Sequence, residues 1–185
     1  MKNINVGILG IGNVARGTYQ TLELNRSKIE QATGASIQIT KILNRRPELD
    51  RGVNIPKEIY VTDVNEILDD SSIDIVVELI GGIEPATEYM ARALKAGKHV
   101  VTANKAAIAA NGKMLQALAQ ENNVLLRFEG SVGGGIPIIN AITTSLLSNE
   151  FDEILGILNG TTNYILTKMS DEGKDYAEVL ADAQK

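Results

Sequence analysis

The sequence predicts an α/β protein with a doubly wound parallel sheet, followed by an incomplete α+β region. The prediction rests on three features. Short β-branched runs alternate with helical stretches as far as Phe128. The central runs are apolar on both faces, as strands must be when helices cover both sides of a sheet. The first run also ends in glycines that open a helix, Gly10-Ile11-Gly12.

The elements follow in order. Ile4 to Leu9 is a buried strand, and Val14 to Gln31 is a helix broken by Thr33-Gly34-Ala35. Ser36 to Leu43 is the second strand and ends at Asn44-Arg45-Arg46-Pro47. Val61-Thr62 is a short strand, Val64 to Leu68 a helical turn, and Ser72 to Ile80 a further strand closed by Gly81-Gly82. A helix from Pro85 to Lys95 has proline early and Gly97 just past its end, the usual asymmetry of helix termini. His99 to Thr102 is a strand, Ala106 to Glu121 a helix interrupted near Asn111-Gly112, and Val124 to Phe128 a strand. The character then changes. A glycine-rich loop, Gly130 to Gly135, leads to a helix ending near Ser148 and a strand from Glu153 to Leu158. Asn159 to Asn163 enters another helix, and Asp175 to Lys185 is helical. A lone strand has nothing to pair with, so this second region reads as unfinished. The expected division is 1–130 and 131–185.

Composition narrows the function. Of 185 residues, 44% are hydrophobic, enough for a sizeable core, and the net charge is -5. Without a basic block the chain is a poor nucleic-acid binder. It has no cysteine and one histidine, His99. That excludes a disulfide scaffold, a thiol nucleophile, a thiolate metal site and a histidine metal cluster. No apolar run is long enough to span a membrane, and the N-terminus does not read as a signal peptide. These features point to a soluble cytoplasmic protein.

Gly10-Ile11-Gly12-Asn13-Val14-Ala15 reads G-x-G-x-x-A, a variant of the dinucleotide fingerprint. Gly10 permits the tight turn, Gly12 lets a pyrophosphate approach the backbone, and small Ala15 lets helix and strand pack closely. The helix N-terminus then offers N–H groups and its positive dipole end to phosphates. The motif is weak alone and strong after the first strand of an alternating pattern. At the end of the second strand a carboxylate would select NAD. Asn44-Arg45-Arg46 has none, and arginine can pair with a 2′-phosphate, which favours NADP. Two solvated surface arginines are the plain alternative. Gly81 and Gly82 end a strand at the carboxyl edge, where ligands sit, but they also suit an ordinary strand-to-helix turn. Lys105 follows the fifth strand. It is either a proton donor to a carbonyl oxygen or a solvated helix-start lysine.

Together these residues resemble homoserine dehydrogenases. The matching segments are Gly7 to Val14, Val101-Thr102-Ala103-Asn104-Lys105-Ala106, Glu129 to Pro137, and Leu158 to Leu166. The first is common to many dehydrogenases, whereas the other three are specific in order and spacing. The resemblance implies NAD(P)H-dependent interconversion of aspartate 4-semialdehyde and L-homoserine, on the route to threonine, methionine and isoleucine. It implies that Lys105 handles the proton at the aldehyde oxygen. The residues expected to contact the cofactor are Gly10, Ile11, Gly12, Asn13, Val14, Arg45, Gly81 and Lys105. By position, the family's cation site, often sodium, falls on Glu129, Val132, Gly134 and Ile136; oxygen ligands suit such a hard cation. Substrate closure falls on Asn159, Gly160, Thr161, Thr162, Asn163 and Tyr164, a segment that also reads as a helix N-cap. The family's further acidic residues and second lysine have no counterpart before Lys185. The chain therefore reads as an N-terminal portion, the cofactor-binding domain plus the start of a substrate and dimerisation domain. It is expected to bind NADP(H), to be inactive alone and to associate as a homodimer. Two other readings are a nucleotide-binding sensor without chemistry, since fold does not fix function, and a related dehydrogenase acting on another aldehyde or hydroxy acid.

Overall fold

The computed structural model describes residues 2–46, 48, 52–157 and 159–184. The chain forms two compact units, Met1–Ser131 and Val132–Lys185. The first holds a six-stranded sheet of β1 (Lys2–Leu9), β2 (Ala35–Leu43), β3 (Tyr60–Val61), β4 (Ile75–Glu78), β5 (His99–Thr102) and β6 (Leu126–Arg127). All its neighbours pair in parallel, in the order β3-β2-β1-β4-β5-β6. This is the Rossmann arrangement that the strand-helix alternation predicts.

The two faces of the sheet carry separate cores, because successive strand side chains point to opposite sides. Ile8 packs with Ile11, Ala15 and Ile42 on one side. Leu9, its neighbour, packs with Val76, Met90, Leu94 and Leu115 on the other. Ala15 lies in α1 (Asn13–Leu24), Met90 and Leu94 in α4 (Ala86–Lys95), and Leu115 in α5 (Lys105–Glu121).

Several boundaries differ from the sequence reading. The first helix is two, α1 and α2 (Arg26–Thr33), with Asn25 as the C-cap of one and the N-cap of the other. Asn25 folds its amide back to donate to the Thr21 carbonyl at 2.9 Å, a local bond that competes with helix continuation. β4 is shorter than Ser72 to Ile80, because side chains take over at both ends. Asp70 accepts from the Ser72 N–H at 2.8 Å and hydroxyl at 2.7 Å. The Ile80 N–H donates to the Glu78 carboxylate at 2.8 Å instead of to a strand. The helical turn is α3 (Asn65–Leu68). β6 is likewise shorter than Val124 to Phe128. α5 runs unbroken through Asn111-Gly112, since the burial of Ala107, Leu115 and Ala119 outweighs the ~1 kcal/mol helix penalty of one glycine.

The second unit contains α6 (Gly160–Glu172) and α7 (Tyr176–Ala183), packed on each other. The helix expected up to Ser148 contains a π-helical stretch, Ala141–Ser145. The strand expected from Glu153 to Leu158 is not formed: residues 153–157 have no regular structure, and Leu158 lies outside the described residues. Among the described residues of this unit there is no strand for it to pair with.

The entry to β4 is clamped by two lysines. Lys41 of β2 meets Asp70 at 2.8 Å, and the buried Lys98 donates to the Asp70 and Ile73 carbonyls. The Lys41 ammonium and the Ser72 donors hold the Asp70 carboxyl well below the usual carboxylate range. A lowered folded value means that the stabilisation is present above about pH 4 and is lost as the pH falls below it. Asp70→Asn should therefore cost about 1 kcal/mol at pH 7, read from thermal melts. The gap to the parent chain should close as the pH drops below 4; a gap independent of pH would refute the charge interaction.

Candidate cofactor site at the switch point

β1 and β4 are adjacent, but their following helices leave to opposite faces of the sheet. A crevice opens at their carboxyl ends, where ligands bind in open α/β sheets. Here it is a cavity of about 270 Å³. Gly10, Ile11 and Gly12 line it just after β1, Leu43 to Arg46 at and after the end of β2, and Leu79 and Ile80 just after β4.

The two glycines are there for different reasons. Gly10 has φ +100°, and a Cβ there would lie 3.1 Å from the Leu79 carbonyl oxygen. The fold itself requires it. Gly12 has an ordinary φ of -77°, and a Cβ there would meet nothing within 4 Å. No protein contact requires it, so a close backbone approach from the crevice side is what remains to explain it. Gly12 is also the N-cap of α1 and gives no side-chain cap, and the first turn carries no acidic residue. Asn104, Asn159 and Asp175, by contrast, cap α5, α6 and α7 through their side chains. The start of α1 is thus left open for an anion.

The β2 edge holds a residue to which sequence reading gave no role. Asn44 is only 2% exposed. Its backbone N–H donates to the Val61 carbonyl at 2.8 Å, and its side-chain oxygen accepts from the Arg46 N–H at 3.1 Å. Its Nδ2 is buried with no acceptor among the described residues. A buried donor left without a partner costs about 1–3 kcal/mol, so a ligand oxygen in the cavity would be a favourable partner. Arg45, beside it, is exposed.

Asn13, Val14, Gly81 and Lys105 do not line this cavity. Arg16 reaches back to the Asn13 side chain, and Val14 is exposed. Gly81 and Lys105 lie further along the carboxyl edge. Lys105 is the first, exposed residue of α5. Asn104 before it fixes the turn: its side-chain oxygen accepts from the Ala107 N–H at 3.1 Å, and its Nδ2 donates to the Gly82 carbonyl at 2.7 Å. Beneath both turns lies Glu78, which sequence reading missed. The one available signal was an acidic residue inside an apolar strand, three positions before a glycine pair.

The comparisons with known proteins agree with this geometry. A family model described as "Homoserine dehydrogenase, NAD binding domain" matches residues 10–129, and one described as "Homoserine dehydrogenase" matches 137–185. The chain belongs to the homoserine dehydrogenase family. It is 44% identical over 184 residues to a homoserine dehydrogenase of Bacillus subtilis and 42% identical over 186 to one of Pseudomonas aeruginosa. All of the chain is covered in each case, against 42% of the relative. A crystal structure of a homoserine dehydrogenase from Thiobacillus denitrificans matches 99% of the chain and 42% of its own, at 42% identity and a TM-score of 0.88. A hyperthermophilic archaeal homoserine dehydrogenase in complex with NADPH matches 98% of the chain and 60% of its own, at 29% identity and a TM-score of 0.79.

The other segments quoted for the family resemblance divide between the units. Glu129 begins a 3₁₀ turn, Glu129–Ser131, whose Ser131 hydroxyl donates to the Thr102 carbonyl at 3.3 Å. Val132, Gly134 and Ile136 belong to the second unit, in a loop where the Ile136 N–H donates to the Gly133 carbonyl at 3.2 Å. Among the described residues no three His, Cys, Asp or Glu side chains gather in a metal-binding group. Asn159 caps α6, accepting from the Thr162 N–H at 2.8 Å and hydroxyl at 3.0 Å. Gly160, Thr161, Asn163 and Tyr164 form the first turns of that helix, and Lys168 lies 5.9 Å from the Tyr164 ring. No helix among the described residues is long and apolar enough to cross a membrane.

Gly10→Ala should lower the melting temperature, because alanine at positive φ is strained and meets backbone. Gly12→Ala should leave it within a degree or two. Equal losses in calorimetry would show that Gly12, too, is a packing glycine.

Proposed function

We propose that this chain is the cofactor-binding part of a homoserine dehydrogenase that interconverts aspartate 4-semialdehyde and L-homoserine with NADP(H). The observation that carries the cofactor reading is the crevice between β1 and β4, with an uncapped helix start beside it and Asn44, whose buried amide nitrogen has no partner among the described residues, in its lining. The first turn of α1 takes the pyrophosphate, with Gly12 allowing its approach. Asn44 Nδ2 donates to an oxygen on the adenosine ribose, and Arg45 pairs with the 2′-phosphate. The nicotinamide end runs toward Gly81 and Lys105. When bound, the nicotinamide supplies hydride. Lys105 holds the proton at the carbonyl oxygen and gives it up as the alcohol forms. Asn159 to Tyr164 hold the substrate. The Glu129 carboxylate, and separately the backbone carbonyls of Val132, Gly134 and Ile136, are oxygen ligands of the kind that suits a hard cation such as sodium. The working form is a cytoplasmic homodimer. Exposed Leu147, Leu155 and Ile157, each at least 75% accessible, favour association.

Titration of the 185-residue chain with NADPH and NADH tests the cofactor reading. NADPH should bind more tightly, and absence of binding to either nucleotide would reject it. Arg45→Ala should weaken NADPH more than NADH. Asn44→Asp should move preference toward NADH by roughly tenfold, since a carboxylate accepts from a free ribose hydroxyl and repels a phosphate. Equal effects on both nucleotides would remove these two residues from the 2′ site.

In an enzyme of the relatives' full length, Lys105→Ala should lower kcat by about 10²–10⁴, the range for a lost general acid or base. An unchanged kcat would reject the proton role.

A further inference from the structure

Glu78 is fully buried at the carboxyl end of β4. The register places it beside Thr102 of β5. One carboxylate oxygen accepts from the Thr102 hydroxyl at 2.6 Å. The other accepts from the Ile80 N–H at 2.8 Å, the Gly81 N–H at 3.3 Å and, more weakly, Asn104 Nδ2 at 3.4 Å. The Thr102 oxygen in turn accepts from the Asn104 N–H at 3.0 Å. Every contact is therefore a neutral donor pointing at the carboxylate, which is the pattern an ionised group needs. Among the described residues no lysine or arginine forms an ion pair with it. A buried charge held only by neutral donors keeps its field, because no counter-ion cancels it.

The position of that charge gives it a use. Ile80, which donates to it, lines the crevice, and Asn104, which also donates to it, caps the helix that begins with Lys105. The carboxylate thus lies one peptide behind the wall between the cavity and Lys105. We propose that Glu78 is a fixed negative charge under the nicotinamide end of the site, which favours the oxidised, positively charged ring over the reduced, neutral one. This rests on the dinucleotide reading above. Glu78 touches no reacting atom. It acts through its field, and its hydrogen bonds hold the Gly81-Gly82 turn and Asn104 in place.

Glu78→Gln separates charge from shape. The amide oxygen can keep the two backbone donors, and the amide nitrogen can donate to the Thr102 oxygen. The measurement is the pair of dissociation constants for NADP⁺ and NADPH, by NADPH fluorescence and competition, on the chain and its variants, with melting as a check on folding. Glu78→Gln should raise the ratio of the NADP⁺ constant to the NADPH constant by about tenfold, the size expected for one charge acting across several ångströms of protein. Thr102→Val removes a donor and keeps the charge. It should weaken both nucleotides together and leave the ratio within about twofold. An unchanged ratio in Glu78→Gln, or the same shift in Thr102→Val, would overturn the proposal. So would loss of cooperative melting in Glu78→Gln, which would assign the carboxylate to the fold alone. A parent chain that binds NADPH with an unmoved ratio in the variant rejects Glu78's role only. A parent chain that binds neither nucleotide rejects the dinucleotide reading and this proposal with it.

Discussion

The parallel pairing of β1 with β4 is the constraint on which the candidate site depends. Val6 to Leu9 lie against Ile75 to Glu78, and the Leu79 N–H continues the ladder by donating to the Leu9 carbonyl at 2.9 Å. Right-handed crossovers then send the chain to opposite faces of the sheet. The two strand ends cannot be covered by the same connection, so a crevice is left between them. Gly10 turns the chain immediately over Leu79, and the start of α1 faces the space this creates. The pocket is a consequence of topology before it is a matter of individual side chains.

The carboxyl edge is then tied together by polar groups that ladder bonds cannot supply. After the Leu79 N–H has completed the ladder, β4 stops because the Glu78 carboxylate captures the N–H groups of Ile80 and Gly81. The same carboxylate holds Thr102, and Asn104 joins the Gly82 carbonyl to the start of α5. Three consecutive features of the site, the glycine turn, the end of β5 and the helix bearing Lys105, are therefore fixed relative to one another by a few buried hydrogen bonds. In a low-dielectric interior such a network is stiff when fully satisfied. Asn44 is the contrasting case. One end of its amide is satisfied and pinned, and the other is buried without a partner among the described residues.

Much of this was legible in the residues. Alternating apolar runs and glycines pointed to the doubly wound parallel sheet, though not to its strand order. Gly10 and Gly12 marked the crevice, and Asn44-Arg45-Arg46 after β2 fell on its lining. What was not legible has physical causes. Whether Asn25 divides a helix depends on where its amide folds back. Gly112 is tolerated in α5 because neighbouring alanines and Leu115 are buried. Residues 153–157 have the composition of a strand, but a strand exists only with a partner, and pairing is not written in the segment itself. Glu78 and Asn44 were passed over because their roles come from burial.

By itself the sequence determined the fold class, the glycine motif and the family to which the chain belongs. These are local properties, set by side-chain period, turn chemistry and motif spacing. Only the tertiary structure decided which ends meet. It distinguished Gly10, which the fold requires, from Gly12, which it does not. It buried a carboxylate under the turn before α4 and left one amide of Asn44 without a protein partner. The physical reason is that burial and hydrogen-bond satisfaction belong to pairs of segments far apart in the chain.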